Sequence, residues 1–441
     1  MDKVTVDRVT IIGGGLAGCE AAWKLAAHGV EADMYEMKPS RFSEAHSSSN
    51  LAELVCSNSF RSNDAHSAVG MLKEEMRRLG SLVMQAAEDT QVPAGKALAV
   101  DRDRFAEYIT AKVESLPGIR LIRKEIDTID PSRVTIVAAG PLASEKLSHS
   151  LTELVGADHL YFYDAIAPIV MADTVDMEKA FVQSRYGPVG EGDYVNCPMT
   201  EEEYRRFYDA LMAADKTTLR EFEKPRFFEG CLPIEVMAER GIQTLTFGPM
   251  KPVGLADPRT GKQPYAVVQL RRENRAGTLY NLVGFQTRLT RPSQDRVFRL
   301  IPGLEQADFV RWGSVHRNTF IHGPGHLNRF LQIQDHPKVF MAGQIAGVEG
   351  YVESAAMGIL AGENAARLIA GRNLTSPPNT TALGGLVSHL TDATSADFQP
   401  SNVNFGLLPP LPKKMKKRER GAHYYQRAME DMARWQTEDG L

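Results

Sequence analysis

Val9-Thr10-Ile11-Ile12-Gly13-Gly14-Gly15-Leu16-Ala17-Gly18 is the stretch that decides the fold of this 441-residue chain. Val9 to Ile12 reads as a short buried strand. A G-x-G-x-x-G turn comes next, and an alanine-rich helix then runs to Ala27. His28 and Gly29 end that helix, and Val30 to Glu36 reads as the next strand, completing one β-α-β unit. The glycine spacing alone is common in proteins. The strand before it, the helix after it and Glu36 at the end of the second strand make it specific for a dinucleotide. Gly13 permits the tight turn, Gly15 lets backbone approach a pyrophosphate, and Gly18 lets helix and strand pack closely, with Gly14, Leu16 and Ala17 completing the cofactor-binding loop. The helix N-terminus then faces the phosphates, and Glu36 is placed to accept hydrogen bonds from ribose hydroxyls.

The same pattern returns near the C-terminus. Val339 to Ala342 reads as a strand, Gly343-Gln344 as a turn, and Ala355 to Ile369 as a helix carrying Gly358 and Gly362. A strand, glycine turn and small-residue helix at that place closes a fold over a flavin, so the dinucleotide expected is FAD. Between the halves, short alternating segments such as Tyr265–Arg271 and Thr278–Val283 suggest antiparallel strands. The expected architecture is α/β: a discontinuous FAD-binding Rossmann-like domain of the GR2 type (1–160 plus 330–441) with an inserted α+β domain (161–329) for substrate. Leu72, Met76, Leu79, Val83 and Ala86 are spaced for one face of a single amphipathic helix. A tail helix is expected from about Ala422 to Trp435.

Composition bounds the rest. With 43% hydrophobic and 24% charged residues the chain is of ordinary globular type. No apolar run approaches the ~18 residues that cross a membrane, and the first residues lack a secretion signal, so a cytoplasmic location is expected. Cys19, Cys56, Cys197 and Cys231 form no C-x-x-C pair, which argues against a metal site or an adjacent redox dithiol. Any functional cysteine acts singly, and Cys19 and Cys197 read as packed core thiols. Residues 43–66 form a long polar loop in which ten of 24 positions are Ser or Asn, and loops of that length inside a domain are usually functional. A net charge of −4 argues against indiscriminate nucleic-acid binding, yet two clusters are locally +5: seven arginines between Arg271 and Arg299, and six basic residues from Lys413 to Arg420. Such patches hold a polyanion, or else are solvated surface.

Beyond these readings the chain resembles a known family. The segments Ile11–Ala22 (IIGGGLAGCEAA), Glu53–Arg61 (ELVCSNSFR), Gly230–Val236 (GCLPIEV), Gly343–Ser354 (GQIAGVEGYVES) and Pro400–Leu407 (PSNVNFGL) are similar to those of the folate- and FAD-dependent tRNA (uracil-5-)-methyltransferases, TrmFO. The resemblance covers essentially the whole chain, and the segments around Cys56 and Cys231 discriminate it from other flavoproteins. It implies methyl transfer to C5 of the T-loop uridine of tRNA. The carbon comes from 5,10-methylenetetrahydrofolate, and NADH or NADPH reduces the FAD. It implies Cys231 as the nucleophile at uracil C6, Cys56 as the residue that handles the C5 proton, and Tyr351 in the closing loop near the flavin. Arg61, Arg226 and Lys251 are candidates for the positive charge a thiolate needs. Nothing points to a membrane or an obligate protein partner. The alternatives are the same chemistry on ribosomal RNA, a wobble-uridine-modifying flavoprotein, or an RNA-binding scaffold without reactive thiols.

Overall fold

A computed structural model describes residues 8–156, 160–217, 232–392, 398–413 and 415–441. Val9–Ile12 runs through the middle of a six-stranded sheet. The order is Gln332–Ile333, His336–Met341, Thr135–Val137, Val9–Ile12, Ala32–Tyr35, Ile119–Ile122, all parallel except the first. Parallel strands are covered on both faces, which is why Val9, Ile11, Ile136 and Phe340 are fully buried. Helix Leu16–Ala27 covers one face together with helix Tyr351–Ile369. These two helices meet backbone to backbone. A Cβ on Gly358 would lie 2.2 Å from the Ala17 carbonyl oxygen, and one on Gly362 would lie 2.8 Å from Ala21 Cα. Small residues more than 300 positions apart thus join the two halves of the sheet. This is an FAD-type, Rossmann-like α/β fold.

Helix Tyr351–Ile369 begins four residues before the expected Ala355, so Tyr351 sits on its first turn rather than in a loop. The tail helix is likewise longer than expected, Lys417–Asp439, and buries Ala428, Met432 and Trp435 against the same core.

The single helix expected across Leu72–Ala86 is two helices, Ala68–Arg78 and Leu82–Asp89. The apolar face persists through the break, since all five residues are buried. Gly80 takes φ +72°, and Ser81 caps the second helix by accepting from Met84 N–H. Glu20, fully buried on the helix after the glycine turn, accepts from the Ser81 hydroxyl and from Leu82 and Val83 N–H at 3.1 and 2.9 Å. Burial pushes its carboxyl up to about 7 despite those donors. A long-range partner at the second helix's N-terminus therefore breaks a run that local periodicity leaves continuous.

The second six-stranded sheet is antiparallel, in the order Phe181–Val182, Tyr194–Met199, Ala266–Arg272, Leu279–Leu282, Ile169–Met171, Phe309–Arg311. It has its own core, built on Tyr204, Phe207, Phe285 and Phe298. A two-stranded antiparallel ribbon, Leu160–Ile166 with Ser314–Phe320, lies in sequence on either side of this sheet. No described helix is long and apolar enough to cross a membrane.

Candidate active site

The glycine turn opens one wall of a cleft of about 1100 Å³, measured out to its mouth and lined by Gly13 to Ala17, Glu36, Gly343, Gln344 and Tyr351 among others. Gly13 has φ +106°, and a Cβ there would fall 2.4 Å from the Ala138 carbonyl oxygen, so only glycine turns the chain here. A Cβ on Gly18 would lie 1.9 Å from the Gly13 carbonyl oxygen, so this glycine packs the helix chiefly against its own turn. Nothing lies within 4 Å of a Cβ on Gly15, whose backbone faces open cleft. The first-turn N–H groups of helix Leu16–Ala27 have no partner within the helix. These features fit a pyrophosphate held at a helix N-terminus.

Glu36 is buried and lines this cleft, with two internal duties besides. Its Oε2 accepts Gly14 N–H at 2.8 Å and its Oε1 accepts Lys38 N–H at 2.9 Å. It therefore braces the glycine loop and keeps lone pairs for a ribose. Glu36→Lys is expected to lower FAD affinity by roughly 10–100-fold, the loss of a charge-assisted bond or two. Titration of the apoprotein with FAD checks this; a variant purified with full flavin content contradicts the assignment.

A second cavity, about 1200 Å³ to its mouth, adjoins the first and shares Val55, Pro141, Leu142, Gln344 and Tyr351 with it. Cys56, Ser57, Ser59 and Arg61 line it, so the polar loop of residues 43–66 feeds both cavities and ends in a strand, Ser59–Ser62. The Tyr351 hydroxyl accepts the N–H of Cys56 at 2.8 Å and of Ser57 at 3.2 Å. Burial, and after it the charge of Cys56, pushes the Tyr351 phenol above its ordinary value, so it stays protonated. Gln344 donates to Glu349 at 2.6 Å across the same rim. The helix N-terminus at Tyr351 favours negative charge where the two cavities meet.

The cations that reach Cys56 differ from those named in sequence. Arg102, Arg271 and Arg311 all interact electrostatically with it. Arg271 is buried and donates to Ser57 Oγ at 2.9 Å and to Asn58 Oδ1 at 3.1 Å. Arg102 is clamped by Glu273 at 2.8 Å. Arg61 does line the cavity, but it is tied to Glu353 and, at 3.0 Å, to Asn402. Its φ is +62°, strained for a side chain of this size, and buried Lys73 holds it there by donating to the Arg61 and Ser62 carbonyls at 3.3 and 2.7 Å. Lys251 is exposed, and Arg226 lies outside the described residues. The +5 arginine cluster is accordingly not one patch. Arg271 serves the cavity, Arg299 pairs with Asp295 at 2.7 Å, and Arg275, Arg291 and Arg296 face solvent.

Cys231 also lies outside the described residues. The segment just after it is anchored at the second cavity's edge: Ile234 N–H donates to the carbonyl of Gln286, a lining residue, at 2.7 Å. Glu235 accepts from Thr287 and from Arg288 N–H at 2.9 and 2.8 Å. Cys19 and Cys197 are fully buried, and burial raises both thiols, Cys197 to about 12.

Fold and cleft together define an FAD-binding protein whose cofactor cleft adjoins a second cavity lined by Cys56. The family model described as glucose inhibited division protein A matches residues 8–373. A protein of Geobacter sulfurreducens named methylenetetrahydrofolate–tRNA-(uracil-5-)-methyltransferase TrmFO is 58% identical over 427 residues, 97% of this chain and 98% of its own. One of the same name from Heliobacterium modesticaldum is 57% identical over 432 residues, 98% of each. The chain belongs to this TrmFO family. Among solved structures, GidA of Aquifex aeolicus shares the fold, with a TM-score of 0.72 at 18% identity over 99% of this chain and 74% of that one.

Proposed function

We propose that this protein is a methylenetetrahydrofolate- and FAD-dependent tRNA (uracil-5-)-methyltransferase acting in the cytoplasm on the T-loop uridine, with NADH or NADPH as reductant. The observation that carries the reading is the junction of the cavities. Tyr351 and Gln344 belong to both walls, so a ring stacked from the second cavity meets a flavin seated in the first. Residues 161–329 then form the unit inserted over the flavin side, and the 330–441 segment completes the FAD domain.

FAD, when bound and reduced, supplies the two electrons that take a methylene-level carbon to methyl. The chain supplies the rest. The Cys231 thiolate adds to uracil C6, which sends the C5–C6 electron pair toward O4 and makes C5 nucleophilic. C5 then bonds the one-carbon unit as that unit's bonds to the folate nitrogens break, Cys56 takes the C5 proton, and the Cys231–C6 bond breaks to restore the ring as the carbon gains its two electrons. Arg102, Arg271 and Arg311 lie within electrostatic reach of Cys56. Tyr351 pins the Cys56 backbone in place.

The test is methylation of a T-loop RNA hairpin against a ribosomal RNA fragment, with methylenetetrahydrofolate and NADH or NADPH; activity on the ribosomal fragment alone refutes the tRNA reading. Exposed Lys413, Lys416 and Arg420 offer a surface for phosphates. Neutralising Lys413, Lys414, Lys416 and Lys417 together is expected to weaken RNA binding and flatten its dependence on log salt by up to about four charges. An unchanged slope assigns that cluster to plain solvated surface.

A further inference from the structure

The second cavity is lined by residues of two origins. Gln344, Gly350 and Tyr351 come from the flavin-binding fold, whereas Arg271 and Asn281 come from neighbouring strands of the antiparallel sheet. Arg271 and Asn281 are direct partners in register, so both side chains stand on the same sheet face. Arg271 is committed to the loop carrying Cys56 through Ser57 and Asn58. Asn281 is not committed. It is 3% exposed, it lines the cavity, and its Nδ2 has no hydrogen-bond partner among the described residues. A buried amide donor without a partner is costly, and such exceptions in a cavity wall call for a ligand. The cost is borne by a residue that a leucine would replace without that penalty.

We propose that Asn281 reads the lactam edge of a planar ring, a carbonyl oxygen beside a ring N–H. Its Nδ2 donates to the carbonyl while its Oδ1 accepts from the N–H, the paired pattern that a carboxamide presents in one plane. The inference rests on the methyl-transfer reading, which brings two rings with this edge into the cavity: the uracil of the RNA and the pterin of the folate. In the orientation the structure gives, with Nδ2 buried, the amino group and bare ring nitrogen of cytosine oppose both contacts, and only a half-turn of the carboxamide would match them. On uracil the donor would sit at O4, the oxygen that gathers charge when a thiolate adds at C6, where a fixed N–H is most effective.

The experiment uses FAD-loaded protein as wild type, Asn281→Ala and Asn281→Asp. Each is titrated with tetrahydrofolate, followed by the flavin absorbance, and with two T-loop hairpins that differ only in uridine or cytidine at the target, followed by anisotropy. If the ring is uracil, the uridine-over-cytidine preference collapses by roughly tenfold in Asn281→Ala with tetrahydrofolate affinity kept. If it is the pterin, tetrahydrofolate binding weakens by about tenfold and the base preference stands. Less than a twofold change in both overturns the proposal. Should Asn281→Ala shed FAD, the near-isosteric Asn281→Asp decides, because a carboxylate cannot donate to a ring carbonyl; wild-type affinities and preference in that variant overturn the proposal. Loss of FAD from both variants also overturns it, since Asn281 would then serve flavin binding or folding. Absence of methyl transfer by the wild type would refute the enzymatic reading separately, because these titrations need no turnover.

Discussion

Replacing Cys231 by alanine is expected to lower methyl transfer at least about a thousandfold, as loss of a nucleophile does elsewhere, while FAD stays bound. The separation comes from where the flavin cleft is built. Its described walls include the glycine turn, the 343–344 turn and Tyr351, and none of these segments carries Cys231. A T-loop RNA carrying 5-fluorouridine tests the step directly. Fluorine replaces the proton that must leave C5, so the ring stays joined to its nucleophile and the complex survives denaturing electrophoresis. The wild type and Cys56→Ala are both expected to form it, because Cys56 acts after the carbon has arrived. A complex of equal yield in Cys231→Ala would mean that another residue is the nucleophile, with Cys56 the first to test.

Local pattern and long-range contact divide this molecule cleanly. The strand at Val9–Ile12 and the turn at Gly13–Gly18 belong to a unit that closes on Ala32–Tyr35 within thirty residues, and the Gly343-Gln344 turn repeats the same strand-turn-helix order, so their sequence patterns suffice although distant segments also border them. The long polar loop is visible in composition, and it does line both cavities. Partners supplied by distant elements leave no such trace. The break at Gly80-Ser81 depends on Glu20, sixty residues earlier. Arg102 and Arg311 approach Cys56 from a helix and a strand that no spacing rule connects. Arg271 is only one more charge in a basic run when read in one dimension, because a charge count cannot tell a buried guanidinium from a solvated one. Asn281 gives no sequence signal at all. Its meaning comes from standing beside Arg271 in a cavity wall with an unmatched donor.

Methylenetetrahydrofolate labelled in its methylene carbon is expected to place label on uracil C5, and only when a reductant is supplied. Labelled S-adenosylmethionine is expected to place none. Oxidation level separates the two donors. A sulfonium methyl already has the oxidation state of the product, so its transfer would leave a flavin without a task. A methylene carbon stands at the formaldehyde level and must gain two electrons, which reduced FAD can give and NADH or NADPH can restore. The structure bears on the count of nucleotide sites. The glycine turn at residues 13–18 and the turn at 343–344 line a single cleft, so one dinucleotide accounts for both sequence motifs. The adjoining cavity is walled by Cys56, Arg271, Asn281 and Tyr351. The helix N-terminus it reaches, at Gly350-Tyr351, is that of the closing segment whose Gly343, Gln344 and Tyr351 already line the first cleft. The cavity meets the first cleft at Tyr351, so a ring delivering carbon from it would adjoin a flavin delivering electrons from the first cleft. Stripping FAD from the protein is therefore expected to abolish transfer from the folate, and adding FAD back to restore it. Label arriving from S-adenosylmethionine, or methylation that continues in the flavin-free protein, would show that the two cavities do not work as one reaction chamber.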